Sequence, residues 1–142
     1  MALPSLTSKL QGVGASIFAE MSALAVATGS VNLGQGFPDV DGPAVVAEAA
    51  IEAIRAGKGN QYPPGTGIPE LRAAIADHQR AYYGLEVDPD REVLVTCGAT
   101  EAIAATMLSL LDAGDEAILF EPFYDSYAPC VAMAGARVVP VT

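Results

Sequence analysis

Three small residues, Gly98, Ala99 and Thr100, follow a short β-branched stretch and open a stretch with helical spacing. The first N–H groups of a helix lack a partner one turn earlier, and the helix dipole adds partial positive charge at that end. Small side chains let an anion approach these groups, and the Thr100 hydroxyl can add another donor. The residues therefore predict a phosphate-binding turn.

The residues around this turn predict a strand, a helix and a second strand. Residues 92–96 are apolar and β-branched, residues 99–112 carry apolar side chains at helical spacing, and residues 116–120 resume a strand pattern. The turn matches neither the GxGxxG of dinucleotide-binding proteins nor the GxxxxGK[ST] of P-loops. Taken alone, it is best interpreted as an ordinary strand–helix turn of an α/β sheet.

The rest of the chain adds helices, one more strand and an N-terminal arm. Apolar spacing, with Pro and Gly at the ends, predicts helices over 17–28, 43–57 and 70–84, a short helix ending at 133, and a strand over 137–141. Residues 1–14 are expected to form an extended arm. Strands alternating with helices imply an α/β fold with a mostly parallel sheet.

Composition limits the possible functions. The chain has 142 residues, of which 51% are hydrophobic and 17% charged, which suits one domain with strands buried by helices. A net charge of −10 makes nucleic acid and anionic membrane surfaces poor partners. Cys97 and Cys130 have no metal or redox spacing and are expected to be two reduced, buried thiols of a cytoplasmic protein. The N-terminus lacks the pattern of a secretory signal.

Five stretches resemble the N-terminal portion of class I, fold type I, pyridoxal 5′-phosphate (PLP)-dependent aminotransferases. In order they are NLGQGFPD, NQYPPGTGIPELR, VTCGATEAI, GDEAILFEPFYDSY and AGA. Within that class they are similar to the kynurenine/glutamine transaminase-like branch, which includes actinobacterial N-succinyldiaminopimelate aminotransferases. The resemblance covers nearly everything after Ile17. It implies an arm and small-domain or substrate-loop segment over 1–42, and an incomplete PLP-binding large domain over 43–142.

The resemblance implies a cofactor site and a homodimer. Gly98, Ala99 and Thr100 would hold the phosphate of PLP, and Tyr124 would stack on its pyridine ring. Tyr62 would reach the phosphate bound by the neighbouring subunit. The alternative for Tyr62 is a loop aromatic packed on the adjacent prolines.

The same resemblance places two residues at the substrate. Gly36 would lie beside the substrate carboxylate, where a Cβ atom would crowd the ligand, and Phe18 would lie near the substrate pocket. Glu101 is interpreted only as a first-turn acid that the helix dipole favours. His78, the one histidine, is interpreted as an edge or surface residue without a role.

Transamination needs groups that this chain is not expected to supply. It needs a lysine to hold the cofactor and move a proton, an acid at the pyridine nitrogen, and an arginine for the substrate carboxylate. The two lysines, Lys9 and Lys58, lie in the arm and in a Gly-rich loop and are interpreted as solvated. In the family these three residues lie in the later half, so the chain is expected to be an inactive N-terminal fragment of a larger enzyme. No catalytic or metal-binding residue is assigned.

The function implied for the parent protein is transfer of an amino group from an amino acid to a 2-oxo acid, of the N-succinyldiaminopimelate or kynurenine/glutamine type. A PLP-dependent cysteine-conjugate β-lyase is an alternative, which would release pyruvate and ammonia without an acceptor. A non-catalytic phosphate- or nucleotide-binding module is a second alternative. ATP or NAD, and not PLP, would stabilise such a module.

Overall fold

The computed structural model describes residues 7–11, 13–36, 38 and 40–142. The elements among them are a 3-10 helix (Ser8–Leu10), α1 (Ile17–Thr28), α2 (Ala44–Arg55), α3 (Pro69–Tyr83), α4 (Ala99–Leu110), β1 (Glu116–Phe120), α5 (Tyr127–Ala134) and β2 (Arg137–Val141). The chain divides into two compact units, one comprising Met1–Phe37 with Cys97–Thr142 and the other Pro38–Thr96. The division after residue 42 stays a prediction.

The first unit contains a parallel β-α-β arrangement. β1 and β2 pair in parallel, in a register that runs from Glu116 opposite Arg137 to Phe120 opposite Val141. Parallel neighbours need a crossover connection, which α5 supplies between them. The backbone pairing extends past both ends of β1, because the Glu121 N–H donates to the Val141 carbonyl at 2.7 Å and the Arg137 N–H donates to the Asp115 carbonyl at 2.8 Å. The predicted α/β class and the strand over 137–141 are confirmed.

The packed centre of this unit lies where α5 meets its neighbours. Val131 is fully buried at 0% exposure, and Cys130 beside it is also buried. Leu119, on β1, is the third buried apolar residue of this unit among those described. α4 and the 3-10 helix also contact α5. α5 is therefore the element against which α4, β2 and the 3-10 helix all pack.

The strand predicted over 92–96 is wrong, because these residues form no strand in the structure. The β-branched pattern is present, but a strand also needs a neighbour with which to exchange backbone hydrogen bonds. Among the described residues the sheet has two strands, β1 and β2. The Val95 N–H instead donates to the Thr66 carbonyl of a loop at 3.1 Å.

The predicted end of α4 at Asp112 is also wrong, since the helix ends at Leu110 with Leu111 as its cap. The Asp115 side chain forms a hydrogen bond here that replaces a further helical backbone bond. The Asp115 carboxylate accepts from the Asp112 N–H at 2.8 Å, while the Asp115 N–H donates to the Asp112 carbonyl at 3.1 Å. Asp residues favour such local turns over a further helical turn. Gly114 lies inside that turn.

Two interpretations of single residues need correction. Cys97 is exposed, whereas Cys130 is buried as expected. Cys97 lies in the bend before α4, outside any paired strand that would cover it. The arm is not uniformly extended, because Ser8–Leu10 forms a 3-10 helix, and residues 1–6 and 12 lie outside the described residues.

The second unit contains α2, α3 and the segment that follows them. The side chain of Arg72, on α3, is only 9% exposed. It donates to the Pro89 carbonyl at 2.6 Å and forms an ion pair with Asp90 at 3.1 Å. This side chain therefore ties α3 to the turn that contains Pro89 and Asp90. Across the residues that the structure describes, no helix has the length and apolarity to span a bilayer.

The loop before α3 depends on a glycine that packs on residue 95. Gly67 has a φ of +95°, and a Cβ atom added there would lie 2.5 Å from Cγ2 of Val95. We expect Gly67→Ala to lower the free energy of unfolding of the intact protein by about 1–2 kcal/mol for the left-handed backbone. Overpacking against Val95 adds about 1–3 kcal/mol. Chemical denaturation measures the change.

Gly59→Ala is the matched control for that variant. Gly59 has a φ of +85° but open space within 4 Å of an added Cβ atom, so this variant carries the backbone cost alone. Equal losses in the two variants would contradict a packing role for Gly67.

Candidate functional site

The turn before α4 has a backbone conformation that requires glycine. Gly98 is the N-cap of α4, with φ +85° and ψ 173°. This region of backbone space is essentially restricted to glycine, because a Cβ atom would clash with the chain itself. An added Cβ atom would meet no other atom within 4 Å, so the space in front of the turn is open.

No side chain caps the first N–H groups of α4. The helical bonding begins with the Ala102 N–H, which donates to the Gly98 carbonyl at 3.3 Å. The N–H groups of Ala99, Thr100 and Glu101 therefore precede the helical ladder. Gly98 has no side chain to accept from them. Together with the Thr100 hydroxyl and the helix dipole, they form a donor set suited to an anion.

Glu101 has a role beyond its interaction with the helix dipole. Its carboxylate accepts a hydrogen bond from the Cys97 N–H, which restrains the turn from the side of the preceding residue. This contact resembles a capping box, in which the third helical residue reaches back to the start of the helix. The bond keeps the carboxylate on the Cys97 N–H, so that Ala99 and Thr100 remain available to an anion.

Two aromatic residues predicted for the site lie side by side in the same unit. The ring centroids of Phe18 and Tyr124 are 5.8 Å apart, with their planes tilted by 40°. Tyr124 also meets Tyr127 edge-on at 5.9 Å. Tyr124 is 47% exposed, so part of its ring surface is open to a ligand. Phe18 is half-buried rather than free on an arm, because Tyr124 packs against it.

Gly36 lies in a loop that hydrogen bonds fasten to α1. The Ser22 hydroxyl donates to Gln35 at 2.9 Å and accepts from the Asn32 side chain at 3.0 Å. The Oδ1 atom of Asn32 accepts a hydrogen bond from the Gly34 N–H at 2.9 Å. A Cβ atom at Gly36 would meet nothing within 4 Å in this chain. Crowding of a substrate there stays a prediction.

Tyr62 belongs to the second compact unit, and the other predicted site residues belong to the first. Its side chain is 100% exposed. This exposure does not support the alternative in which the ring packs on the adjacent prolines. His78 is exposed as expected, and its ring stacks on Tyr82 at 4.5 Å.

Sequence reasoning missed a polar pair next to the aromatic residues. The Ser16 hydroxyl donates to the carboxylate of Asp125, a residue 109 positions away in the chain. Ser16 also caps α1, since its oxygen accepts from the Phe18 N–H at 3.3 Å. A serine just before the apolar helical pattern is a recognisable cap signal. The contact with Asp125 has no sequence signal, because only folding brings the two residues together.

Comparison with known proteins identifies the fold. Residues 28–142 match the model of the family described as aminotransferase class I and II. The solved N-succinyldiaminopimelate aminotransferase of Mycobacterium tuberculosis superposes with a TM-score of 0.88 at 58% identity, over 96% of this chain and 35% of that one. YbdL of Escherichia coli, a methionine aminotransferase, gives a TM-score of 0.88 at 45% identity, over 98% and 36%. The fold is therefore that of the fold type I aminotransferases.

Curated relatives extend the comparison. The chain is 59% identical to the probable N-succinyldiaminopimelate aminotransferase of M. tuberculosis, over 94% of this chain and 34% of that protein. It is 40% identical to human kynurenine–oxoglutarate transaminase 3, over 92% and 29%. The chain thus spans about a third of the length of the curated relatives it matches.

Proteins of this family depend on PLP, so the residues can be tested against that cofactor. PLP carries an anionic phosphate and a planar, electron-poor ring. The open, glycine-only turn at Gly98 fits the phosphate, because a side chain there would fill the space in front of the amides. The partly exposed ring of Tyr124 fits an aromatic partner. The residues present therefore fit the two ends of the cofactor.

Proposed function

Since the chain belongs to the class I and II aminotransferase family, we propose that the intact protein is a PLP-dependent aminotransferase. It moves an amino group from an amino acid to a 2-oxo acid. The observation that carries the proposal is the open turn at Gly98, which leaves the first amides of α4 unblocked within a chain that matches aminotransferases throughout. Relatives named for three different amino donors support the reaction class.

In this proposal the α4 turn binds the phosphate. The N–H groups of Ala99 and Thr100 and the Thr100 hydroxyl donate to its oxygens, and the helix dipole favours its negative charge. When bound, PLP supplies the electron sink that lets a bond at the amino-acid Cα atom break. Glu101 holds the turn through the Cys97 N–H, as described above. The donors are thereby preorganised before the anion arrives.

Tyr124 and Phe18 form the aromatic wall of the site in this proposal. Tyr124 lies over the pyridine ring, and Phe18, packed against it, contributes apolar surface toward the substrate. Gly36 leaves room for the substrate carboxylate, supported by the open space around it. The bonds of Ser22 keep that loop against α1.

N-succinyldiaminopimelate and kynurenine or glutamine are the proposed donor types. The first is supported by 59% identity to the M. tuberculosis relative, and the second by 40% identity to the human transaminase. We further propose a cytoplasmic location, supported by the two free thiols, Cys97 and Cys130, which suit a reducing compartment.

The experiment for the reaction class uses the full-length protein loaded with PLP. We expect 2-oxo acid to form from each accepted donor in excess of the enzyme only when a 2-oxo acid acceptor is present, with one acceptor consumed per donor beyond the first equivalent. A panel of N-succinyldiaminopimelate, kynurenine, glutamine and methionine then ranks the donors by kcat/KM. Pyruvate and ammonia released from cysteine conjugates without any acceptor, with no transfer to acceptors, would identify a β-lyase and contradict the proposal.

Thr100→Val tests the phosphate turn by removing one hydroxyl at nearly constant volume. Loss of a hydrogen bond to a charged group is expected to weaken PLP binding about tenfold. Equilibrium titration of the apoprotein measures the affinity. Thr106→Val on the same helix is the control, because the Thr106 hydroxyl already donates to the Ala102 carbonyl at 2.7 Å. An equal loss in both variants would exclude a specific role for Thr100.

We propose that the protein is a homodimer in which Tyr62 contacts the phosphate held by the other subunit. The full exposure of Tyr62 supports this, because an aromatic ring without cover in its own chain is available to a second copy. The Tyr62 hydroxyl would then donate to the phosphate beside the amides of the α4 turn.

Hybrid dimers test the exchange of Tyr62 between subunits. A Tyr62→Ala subunit paired with a Tyr124→Ala subunit has one intact site if Tyr62 acts on its partner, and none if it acts within its own chain. The hybrid should recover about half of the wild-type activity, while each parental homodimer stays impaired. Tyr82→Ala, which removes another exposed tyrosine of the second unit, should remain active.

A further inference from the structure

The segment before α1 is attached to α5 at both ends of that helix. Lys9 donates from Nζ to the Met133 carbonyl at 3.0 Å, in the last turn of α5. The Ser16 hydroxyl donates to the Asp125 carboxylate, two residues before α5 begins. Between these contacts lies a cavity of about 520 Å³, lined by residues of both segments. Polar bonds therefore hold this segment at the two ends of the cavity, in addition to the contact of the 3-10 helix with α5.

Ser16 can form both of its hydrogen bonds at the same time. Its oxygen accepts from the Phe18 N–H at 3.3 Å, while its hydrogen is directed to Asp125. A hydroxyl has one donor and two acceptor positions, so the two bonds do not compete. Both side chains are half-buried, and the acceptor is a carboxylate, which strengthens the bond to Asp125.

The bond fixes the two backbone positions that carry the paired rings. Phe18 follows Ser16 by two residues in the first turn of α1, and Tyr124 directly precedes Asp125. The two rings, 5.8 Å apart, therefore lie near a polar contact between Ser16, two residues before Phe18, and Asp125, one residue after Tyr124. Loss of that contact would free the start of α1 to move relative to the loop that carries Tyr124.

We propose that Ser16 and Asp125 are positioning residues of the substrate site. Their hydrogen bond holds Phe18 against Tyr124 in the arrangement that receives the amino donor, and neither residue touches the reacting atoms. Ser16 and Asp125 thereby set the affinity for the donor rather than the rate of the chemical step. This inference rests on the proposed aminotransferase function.

The test uses the full-length, PLP-loaded protein. Ser16→Ala and Asp125→Ala remove the bond, and Asp125→Ala leaves the cap of α1 intact. Ser16→Thr keeps the hydroxyl, and Asp125→Asn keeps an acceptor oxygen. We expect the two removing variants to raise KM for the donor about tenfold with kcat little changed, which corresponds to the loss of about one hydrogen bond to a charged group. Ser16→Thr should restore the wild-type KM.

The double variant adds a test of coupling. If the two residues act only through their shared bond, Ser16→Ala with Asp125→Ala should raise KM no further than either single variant. Lys9→Met is the matched control, because it removes the attachment at the other end of α5 without touching the rings. The KM of this variant should stay at the wild-type value.

Amide hydrogen exchange of the apoprotein gives a readout that is independent of activity. Exchange around residues 121–127 should become several-fold faster in Ser16→Ala and Asp125→Ala, and not in Ser16→Thr or Lys9→Met. Faster exchange with an unchanged KM would overturn the positioning role, as would unchanged exchange. Should Ser16→Ala fail to fold, Asp125→Ala carries the same test.

The failure of this inference is distinguishable from the failure of the proposed function. A wild-type protein that transfers no amino group to any acceptor contradicts the function. A wild-type protein that does transfer it, with Asp125→Ala identical to it in KM and exchange, contradicts the positioning role alone.

Discussion

At the start of α4 the backbone takes up φ +85° and ψ 173°, values that a residue with a Cβ atom adopts only under strain. The consequences extend beyond one residue. Without a side chain at Gly98, the first amides of the helix stay uncapped and open to the outside. The Glu101 carboxylate, bonded to the Cys97 N–H, restrains the turn. The proposed binding of a phosphate at this end of the helix depends on that backbone geometry.

The first unit places the rest of the candidate site through α5 and the segments attached to it. α5 contains the fully buried Val131, and the loop immediately before the helix carries Tyr124. The segment before α1 reaches the same helix through Ser16 and Lys9, and α1 brings Phe18 to Tyr124. The pairing of the two rings therefore depends on the start of α1, which carries Phe18, and on the loop after β1, which carries Tyr124.

Polar bonds between segments that are distant in sequence recur through both units. Arg72 holds the turn at Pro89 and Asp90, and Ser22 holds the loop at Asn32 and Gln35. Each of these bonds joins a helix to a loop of the same unit. Each is directional, and each fixes a loop whose sequence alone would permit several conformations.

The sequence by itself determined the local elements, because their signals lie within a few residues. Glycine after α1, α3 and α5 marks helix ends that the structure confirms. The anion-binding role of the small residues at 98–100 stays a prediction, whereas the motif resemblance predicted the fold type that the comparisons bear out.

Only the tertiary structure decided which segments meet. Residues 92–96 have a strand pattern but no strand partner among the described residues, and backbone pairing is a property of two segments. Contacts between distant segments also decide three other features. These are the exposure of Cys97, the pairing of Phe18 with Tyr124, and the bond from Ser16 to Asp125 across 109 positions. Such contacts arise when folding brings distant residues within hydrogen-bond or van der Waals range, and no local pattern encodes that distance.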